Sequence, residues 1–182
     1  MIPRKYIKDF KIEYDETPDG RRKARAVYIG KYYTFSDTDV KVRKTAKYFV
    51  LLLFAAWIAF FVPLLFISAA ARTSYVILPH VFCFFPLMGM SAVTMDLWTE
   101  KPPLTQEKRD HISRRAPKSA LLMVLLSGAA SVGFIIRLFV GPEVTLWGDL
   151  VFALCEAALL AASILLFAGR GRTATRETEY HL

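Results

Sequence analysis

The chain has 182 residues, a formal net charge of +8, 54% apolar residues and 22% charged residues. Apolar and charged residues are separated into long blocks, which excludes an ordinary soluble domain, where the two kinds are mixed within each element. The two cysteines form no C-x-x-C pair and no Cys/His array with zinc spacing, so the sequence predicts no metal site, no dithiol chemistry and no cofactor.

The first 35 residues predict a small β element. In FKIEYD, Phe10, Ile12 and Tyr14 alternate with charged residues, which is typical of a strand with one apolar face. ETPDG follows as a turn, and RRKARAVYIG and KYYTF can supply two further strands joined at 30–31. Because a lone hairpin is marginally stable in water, we expect it to pack on neighbouring loops or on a partner. Both a docking module and a plain cytoplasmic cap fit this pattern.

The segment SDTD at 36–39 predicts the start of a helix, with Ser36 or Asp37 as the capping residue. This helix continues into the first apolar run without a breaker. Its basic residues would lie at the level of the lipid headgroups, and they are Lys41, Arg43, Lys44 and Lys47. Binding of anionic headgroups and a simple orientation signal both explain such a cluster.

Four apolar runs are long enough to cross a bilayer as helices, which need about 20 residues each. They cover 48–70, 75–98, 119–140 and 146–168. The first run begins too far along the chain to be a signal peptide. The sequence therefore predicts an all-α four-helix transmembrane bundle over 36–168, with the small N-terminal β-hairpin or meander over 1–35 and a mobile polar tail over 169–182.

The distribution of basic residues predicts the orientation of the bundle. Of the 24 Lys and Arg residues, thirteen precede Tyr48, six lie in 99–118 and three follow Ala168. Positive residues mark the cytoplasmic side, so we expect a multi-pass plasma-membrane protein with both termini and the 99–118 loop inside, and the loops at 71–74 and 141–145 outside. Basic loops beside spans are what topology requires, so no nucleic-acid partner is predicted.

The inner loop at 99–118 contains start and stop signals for one short helix. Thr105 is predicted to cap it, and Pro117 is predicted to end it. His111 lies within this segment and is expected to be an exposed surface residue, because no catalytic partner for it can be identified.

Three prolines lie within the first two spans and predict helix kinks at Pro63, Pro79 and Pro86. Pro79 and Pro86 are seven residues apart and therefore share a helix face. Each proline lacks an N–H and leaves a carbonyl one turn earlier in need of another donor. Discontinuous helices line substrate sites in transporters, whereas proline also serves packing, and both interpretations stay open.

The fourth span predicts an intramembrane polar network. Asp149, Glu156 and Ser163 recur every seven residues on one helix face, and Arg137 near the end of the third span has a depth that suits a pair with Asp149. An ionised Glu156 near mid-membrane would cost at least about 2.5 kcal/mol unless it is paired. If the second and fourth spans touch, His80 can reach towards Glu156 or Asp149. A network that fixes helix register and an ion or substrate pathway both remain possible.

Three further stretches carry a resemblance: YIGKYYTF, SYVILPHVFCFFPLMGM and LTQEKRDHISRRAPKS. Together they resemble small four-span membrane proteins of anaerobic Gram-positive bacteria that are described only as hypothetical. The resemblance implies a bacterial plasma-membrane protein. It implies no activity, cofactor or site residue.

These observations favour a non-enzymatic accessory or assembly protein of a bacterial plasma-membrane complex, whose partner is another membrane protein or a second copy of the chain. The alternative is a small oligomeric transporter or channel with an ion path through Glu156, Asp149 and His80. An enzyme ranks third and no catalytic residue is predicted, because the chain has no phosphate loop, no aspartate-rich lipid-transfer motif and no nucleophile beside a base.

Overall fold

The structure, a computed structural model, describes residues 4–16, 22–140 and 145–178. Most of the predicted ETPDG turn and of the predicted loop at 141–145 lies outside these ranges. The strands are β1 (Phe10–Glu16), β2 (Arg22–Tyr28), β3 (Tyr32–Phe35) and β4 (Thr175–Thr178). The α-helices are α1 (Asp39–Phe61), α2 (Ser74–Phe82), α3 (Phe84–Thr99), α4 (Gln106–Asp110), α5 (Ala116–Val140) and α6 (Leu146–Ala168).

The chain contains four helical segments that are long and apolar enough to cross a membrane, as the sequence predicts. They cover Val40–Leu65, Ser74–Thr99, Gln106–Val140 and Leu146–Thr173. Large apolar side chains such as Phe54, Phe85 and Leu154 are exposed on their outer surfaces. In a bilayer these side chains face lipid, so the chain is a multi-pass membrane protein by its length and composition.

The helices form a closed ring around a large apolar core, with a second, smaller cluster of Ala70, Val76 and Phe152. Helix α6 packs between α1 and α5, α5 also packs on α2 and α3, and α3 returns to α1. The buried face of α6 includes Asp149, Phe152, Glu156, Leu159 and Ser163, so the three polar residues share one buried face as the seven-residue spacing predicts. The second and fourth spans lie diagonally across the ring, and their inward faces meet in the core.

The three prolines occupy different positions in the helices. Pro79 lies inside α2, which ends at Phe82 before α3 begins, so the second span is broken there. Pro86 lies in the first turn of α3, where an N–H is not required. Pro63 does not kink a long first span. Instead α1 ends at Phe61 and a 3₁₀ helix, Val62–Leu65, follows, so the prediction of a helix to residue 70 is wrong.

Two glycines allow the backbone of one segment to approach another closely. A Cβ atom on Gly133 of α5 would lie 2.9 Å from the carbonyl oxygen of Tyr75 in α2. Pro79 cannot donate an N–H to this carbonyl, which therefore faces a neighbouring helix. A Cβ atom on Gly148 would lie only 2.1 Å from the carbonyl oxygen of Ile67. Gly133 therefore serves the contact between the third and second spans.

The β element departs from the predicted meander. Strands β1 and β2 form the expected antiparallel hairpin, but β3 pairs with β4 from the polar tail, with Tyr32 opposite Thr178 and Phe35 opposite Thr175. Tyr33 also exchanges two backbone hydrogen bonds with Leu104, of 2.9 and 2.8 Å. The N-terminal segment, the 99–118 connection and the tail thus meet at one end of the bundle, called the inner end here.

Helix starts are predicted with mixed success. Thr105 caps α4 by accepting from Lys108 N–H at 3.5 Å, as expected. The N-cap of α1 is Thr38, with no side-chain hydrogen bond, so the prediction of Ser36 or Asp37 is wrong. The backbone N–H of Ser36 donates instead to Ala174 and extends the β3–β4 pairing. Pro117 does not end a helix either, because one π-helical turn, His111–Arg115, joins α4 to α5.

Candidate functional site

His80 and Glu156 form a hydrogen-bonded pair in the core of the bundle. Nδ1 of His80 lies 2.7 Å from Oε2 of Glu156, and both side chains are buried. Nε2 of His80 lies 3.0 Å from the carbonyl oxygen of Phe60 at the end of α1. One imidazole therefore connects the first, second and fourth spans.

The surroundings of the imidazole restrict where its protons can lie. A carbonyl oxygen only accepts, so Nε2 must carry a hydrogen and donate to Phe60. Nδ1 then either donates to an ionised Glu156 or accepts from a protonated Glu156. In both arrangements the pair is neutral overall and one proton lies between the two groups. A neutral pair of this kind avoids most of the cost of an isolated charge in the membrane.

The carbonyl group of Phe60 is available to His80 because of Pro63. Phe60 lies at the end of α1, and in the 3₁₀ helix that follows each N–H donates three residues back, so the Leu64 N–H is directed to Phe61 rather than to Phe60. The residue three positions after Phe60 is Pro63, which has no N–H. The imidazole supplies the missing donor. Pro63 and His80 therefore belong to one structural arrangement.

Aromatic rings enclose the pair. The Phe60 ring stacks on the His80 ring with centroids 5.0 Å apart, and the Phe152 ring lies 5.5 Å away. Oε1 of Glu156 is buried and has no hydrogen-bond partner among the described residues. Ser163, which the sequence placed in the same network, donates to the carbonyl oxygen of Leu159 in its own helix at 2.7 Å. It lies on the same face without joining the pair.

Arg137 and Asp149 form a second buried pair towards the opposite, outer end of the bundle. Nη1 of Arg137 donates to Oδ2 of Asp149 at 3.4 Å, which is the contact that the matched depths predict. Asp149 also accepts from two backbone N–H groups, Ala70 at 3.0 Å and Thr145 at 2.8 Å. One carboxylate therefore connects α5, the start of α6 and the segment between the first two spans.

The two pairs are separate. Phe152 lies between Asp149 and Glu156 on the buried face of α6, and the Phe134 ring stacks on it with centroids 5.8 Å apart. His80 contacts Glu156 rather than Asp149. The five residues of the predicted network are thus divided into a core pair, an outer pair and a serine bonded to its own helix.

The inner end carries a polar cluster that sequence reasoning missed. Nδ1 of His111 is hydrogen-bonded to Oδ2 of Asp96, and Nη1 of Arg115 donates to Nε2 of His111 at 2.6 Å. Since Nε2 accepts, His111 is neutral and carries its hydrogen on Nδ1. The His111 side chain is only 27% exposed, so the expectation of an exposed surface residue is wrong. Asp96 at the end of the second span could have suggested a partner.

Next to this cluster, Asp110 contacts two basic side chains and a hydroxyl group. It accepts from Nζ of Lys5 at 2.8 Å and from the Tyr6 hydroxyl at 3.1 Å, and Nε of Arg114 lies 3.3 Å away. The pKa of Lys5 is raised, chiefly by its hydrogen bond to Asp110. These contacts hold the N-terminal segment against the inner connection.

The predicted headgroup-binding residues lie exposed around the inner end of α1. They are Lys41, Arg43, Lys44 and Lys47. Lys41 pairs with Asp37 at 3.5 Å. Their exposure at this level permits contact with lipid headgroups, which stays a prediction.

Among the described residues, no group of three or more His, Cys, Asp or Glu side chains is placed to hold a metal ion. In comparisons with known proteins, the chain matches no family, no curated protein and no solved structure.

Proposed function

We propose that the chain is a non-enzymatic accessory or assembly protein of a bacterial plasma-membrane complex, and that it binds its partner through the β1–β2 hairpin. The observation that carries this proposal is an exposed apolar strand face at the inner end of the bundle. Its side chains have no role in the membrane core, and apolar surface of this kind on a protein marks a site of interaction.

The register of the hairpin places the apolar residues together. Ile12 is opposite Ala26 and Tyr14 is opposite Ala24. Ile12 is 62% exposed and Tyr14 is 67% exposed, so this face of the hairpin is not covered by the rest of the described chain. The other face is charged, and Lys11 lies 3.6 Å from Glu13 on it. A two-stranded hairpin with an open apolar face gains stability when a partner covers that face.

The base of the hairpin is attached to the rest of the chain. The Tyr28 hydroxyl accepts from the backbone N–H of Gln106 at 2.9 Å and donates to the carbonyl oxygen of Lys31 at 2.9 Å. The Phe10 and Tyr28 rings pack edge to face, 5.2 Å apart. This attachment fixes the direction in which the apolar face points. A fixed, exposed face loses less conformational freedom on binding than a mobile one.

A cross-linking experiment tests the partner. A photoreactive residue at Ala26 should yield one defined adduct in native membranes, with either another protein or a second copy of the chain. Ile12→Asp with Tyr14→Asp should remove that adduct, because two charges would be buried at the contact. Lys11→Gln with Arg25→Gln changes the net charge equally on the opposite face and should leave the adduct in place. An adduct insensitive to Ile12 and Tyr14 would contradict the proposal.

The proposed orientation places the hairpin in the cytoplasm. The 3₁₀ turn Ala70–Arg72 and Lys101 lie at opposite ends of the bundle, and Arg72 and Lys101 are both exposed. With Cys83 and Cys155 replaced by Ala, Arg72→Cys in intact cells should react with a membrane-impermeant thiol reagent and Lys101→Cys should not. The reverse pattern would overturn the orientation drawn from the positive residues.

Transport is a second candidate function, and the unpartnered Oε1 of Glu156 is the observation that favours it. A proton shared with His80 could move if water reached this oxygen. Proteoliposomes with the wild-type chain would then show a flux driven by a proton or cation gradient, and Glu156→Gln would abolish it. The separation of Asp149 from Glu156 by Phe152 instead supports the accessory role, and we expect no flux from the wild-type protein.

A further inference from the structure

We propose that a cavity at the inner end of the bundle binds a phosphate group, either of an anionic phospholipid or of a soluble phosphate compound. The cavity has a volume of about 730 Å³ and lies between the N-terminal segment, the end of α3 and the π-helical turn. This site is separate from the hairpin face, so it stands or falls independently of the partner proposed above.

The charges around the cavity favour an anion. Five Lys or Arg side chains and three Asp or Glu side chains line it. Of the acids, Asp96 is bonded to His111, and Asp110 is bonded to Lys5. Of these three acidic residues, only Glu107 forms no ion pair with another described residue. The acidic groups are therefore largely used within the protein and leave little capacity for a cation.

Two of the basic side chains have no carboxylate partner. Neither Arg115 nor Lys118 forms an ion pair within the part of the chain that the structure describes, and both are exposed at the cavity wall. Arg115 is not loose, because Nη1 donates to His111, which is itself held by Asp96. Its other donors remain available. A planar guanidinium fixed in this way, with an ammonium group beside it, suits the oxygens of a phosphate.

The local backbone brings these groups together. The π-helical turn contains His111, Arg114 and Arg115, and all three side chains line the cavity. Residues three and four positions apart lie on one face of a helical segment, so these three side chains can line one cavity together. Turns of π-helix are also frequent at functional sites. Pro117 follows immediately, at the second position of α5.

The cavity lies at the ends of the apolar segments, where the phosphate layer of a membrane is expected. Trp98, two residues after the cavity residue Asp96 in α3, is 54% exposed, and Trp is enriched at membrane–water interfaces. Lys118 lies at the start of the third apolar segment, where Lys and Arg contact headgroups. A phospholipid phosphate could therefore enter from the bilayer, and a soluble phosphate compound could enter from the aqueous side.

Binding to the full-length chain separates the two sources. In an uncharged detergent, inorganic phosphate is titrated by calorimetry. In nanodiscs, native mass spectrometry compares the lipid retained from phosphatidylglycerol–phosphatidylcholine mixtures and from phosphatidylcholine alone. Arg115→Gln with Lys118→Gln should weaken binding by more than about tenfold, because the phosphate would lose two charge-assisted hydrogen bonds. Lys11→Gln with Arg25→Gln removes the same charge from the hairpin, outside the cavity, and should change it little.

The single variant Lys118→Gln should fold normally, because this exposed side chain forms no ion pair with another described residue. It should still weaken phosphate binding several-fold. Phosphate binding that the cavity variant weakens identifies a soluble ligand. Retention of phosphatidylglycerol without phosphate binding identifies a lipid. The proposal is overturned if the wild type binds neither, or if the control variant weakens binding as much as the cavity variant does.

Discussion

The two buried pairs of the bundle each contain a carboxylate and a basic side chain, but the two carboxylates are hydrogen-bonded differently. Asp149 accepts from Arg137 and from two backbone N–H groups, so both of its oxygens are hydrogen-bonded. Glu156 bonds His80 through one oxygen and leaves the other without a partner among the described residues. The outer carboxylate holds three chain segments together, whereas the core carboxylate shares one proton with one imidazole.

This difference follows from what the backbone offers at each depth. At the outer end, helices begin and end, and free N–H groups can bind a carboxylate. In mid-membrane every regular backbone group is already bonded within its helix, so a side chain must find another side chain or a carbonyl that a proline has released. An ionised carboxylate is therefore expected at Asp149, and a neutral pair is expected at His80 and Glu156.

The largest effect is expected from Asp149→Leu. This change removes the carboxylate to which Arg137 donates and leaves the Ala70 and Thr145 N–H groups without their acceptor, which should lower the free energy of unfolding by about 3–5 kcal/mol. Arg137→Met combined with Asp149→Leu should be less harmful than Asp149→Leu alone. Unfolding in detergent followed by circular dichroism measures both. Strictly additive effects of the two substitutions would show that the pair is not coupled.

The second largest effect is expected from Gly148→Ala, because Gly148 lies close to the segment whose Ala70 N–H donates to Asp149. Gly148→Ala places a Cβ atom 2.1 Å from the Ile67 carbonyl oxygen, so the segment that presents Ala70 to Asp149 must move. We expect a loss of about 1–3 kcal/mol in thermal unfolding. Gly128→Ala is the control, because a Cβ atom there meets nothing within 4 Å. It should be neutral or stabilising by up to about 1 kcal/mol. Equal losses at both glycines would argue against the close contact.

The core pair should tolerate a change that the outer pair would not. In Glu156→Gln, the new amide can donate to Nδ1 of a neutral His80 while Nε2 still donates to Phe60, so stability should change by less than about 1 kcal/mol. Glu156→Leu leaves Nδ1 unpaired in the core and should cost about 1–3 kcal/mol. The two variants are compared by chemical unfolding under the same conditions. A loss in Glu156→Gln as large as in Glu156→Leu would contradict the shared proton.

The smallest effect is expected at an exposed pair, which completes the comparison. Nζ of Lys31 lies 2.8 Å from Glu177, next to the β3–β4 pairing, and both side chains are at least half exposed. The hydrogen bond to Glu177 raises the pKa of Lys31, so its contribution is complete at neutral pH and is lost only as the pH rises through that raised value. Lys31→Gln should barely change the melting temperature at pH 7. A shift comparable to that of Asp149→Leu would show that exposure does not decide the strength of these pairs.

Local patterns were sufficient to predict much of the bundle. The lengths of the apolar runs predict the four spans, and the seven-residue spacing of Asp149, Glu156 and Ser163 predicts their shared buried face, because helix geometry is fixed by neighbours in sequence. The contact of Arg137 with Asp149 followed from matched depth across a short connection. The approach of His80 to Glu156 required one further assumption, that the second and fourth spans meet.

Contacts between distant polar segments could not be predicted. Strands β3 and β4 are each four residues long, β4 is polar, and all four spans separate them, so neither sequence identifies its partner. The bond between Asp96 and His111 joins residues on either side of a turn at the inner end. The end of α1 at Phe61 was missed because the apolar run continues beyond it. Hydropathy measures the affinity of a segment for lipid and does not report where its backbone stops being helical.

The pairing of β3 with β4 makes the closed inner end a test of correct membrane insertion. Strand β3 precedes the first span, and β4 follows the fourth. The two strands can meet only if the chain between them has crossed the bilayer an even number of times. A nascent chain in which one span fails to insert would leave the strands on opposite sides, and its inner end would stay open. The hydrogen bonds between these two short strands therefore form only in a chain whose number of inserted spans is even.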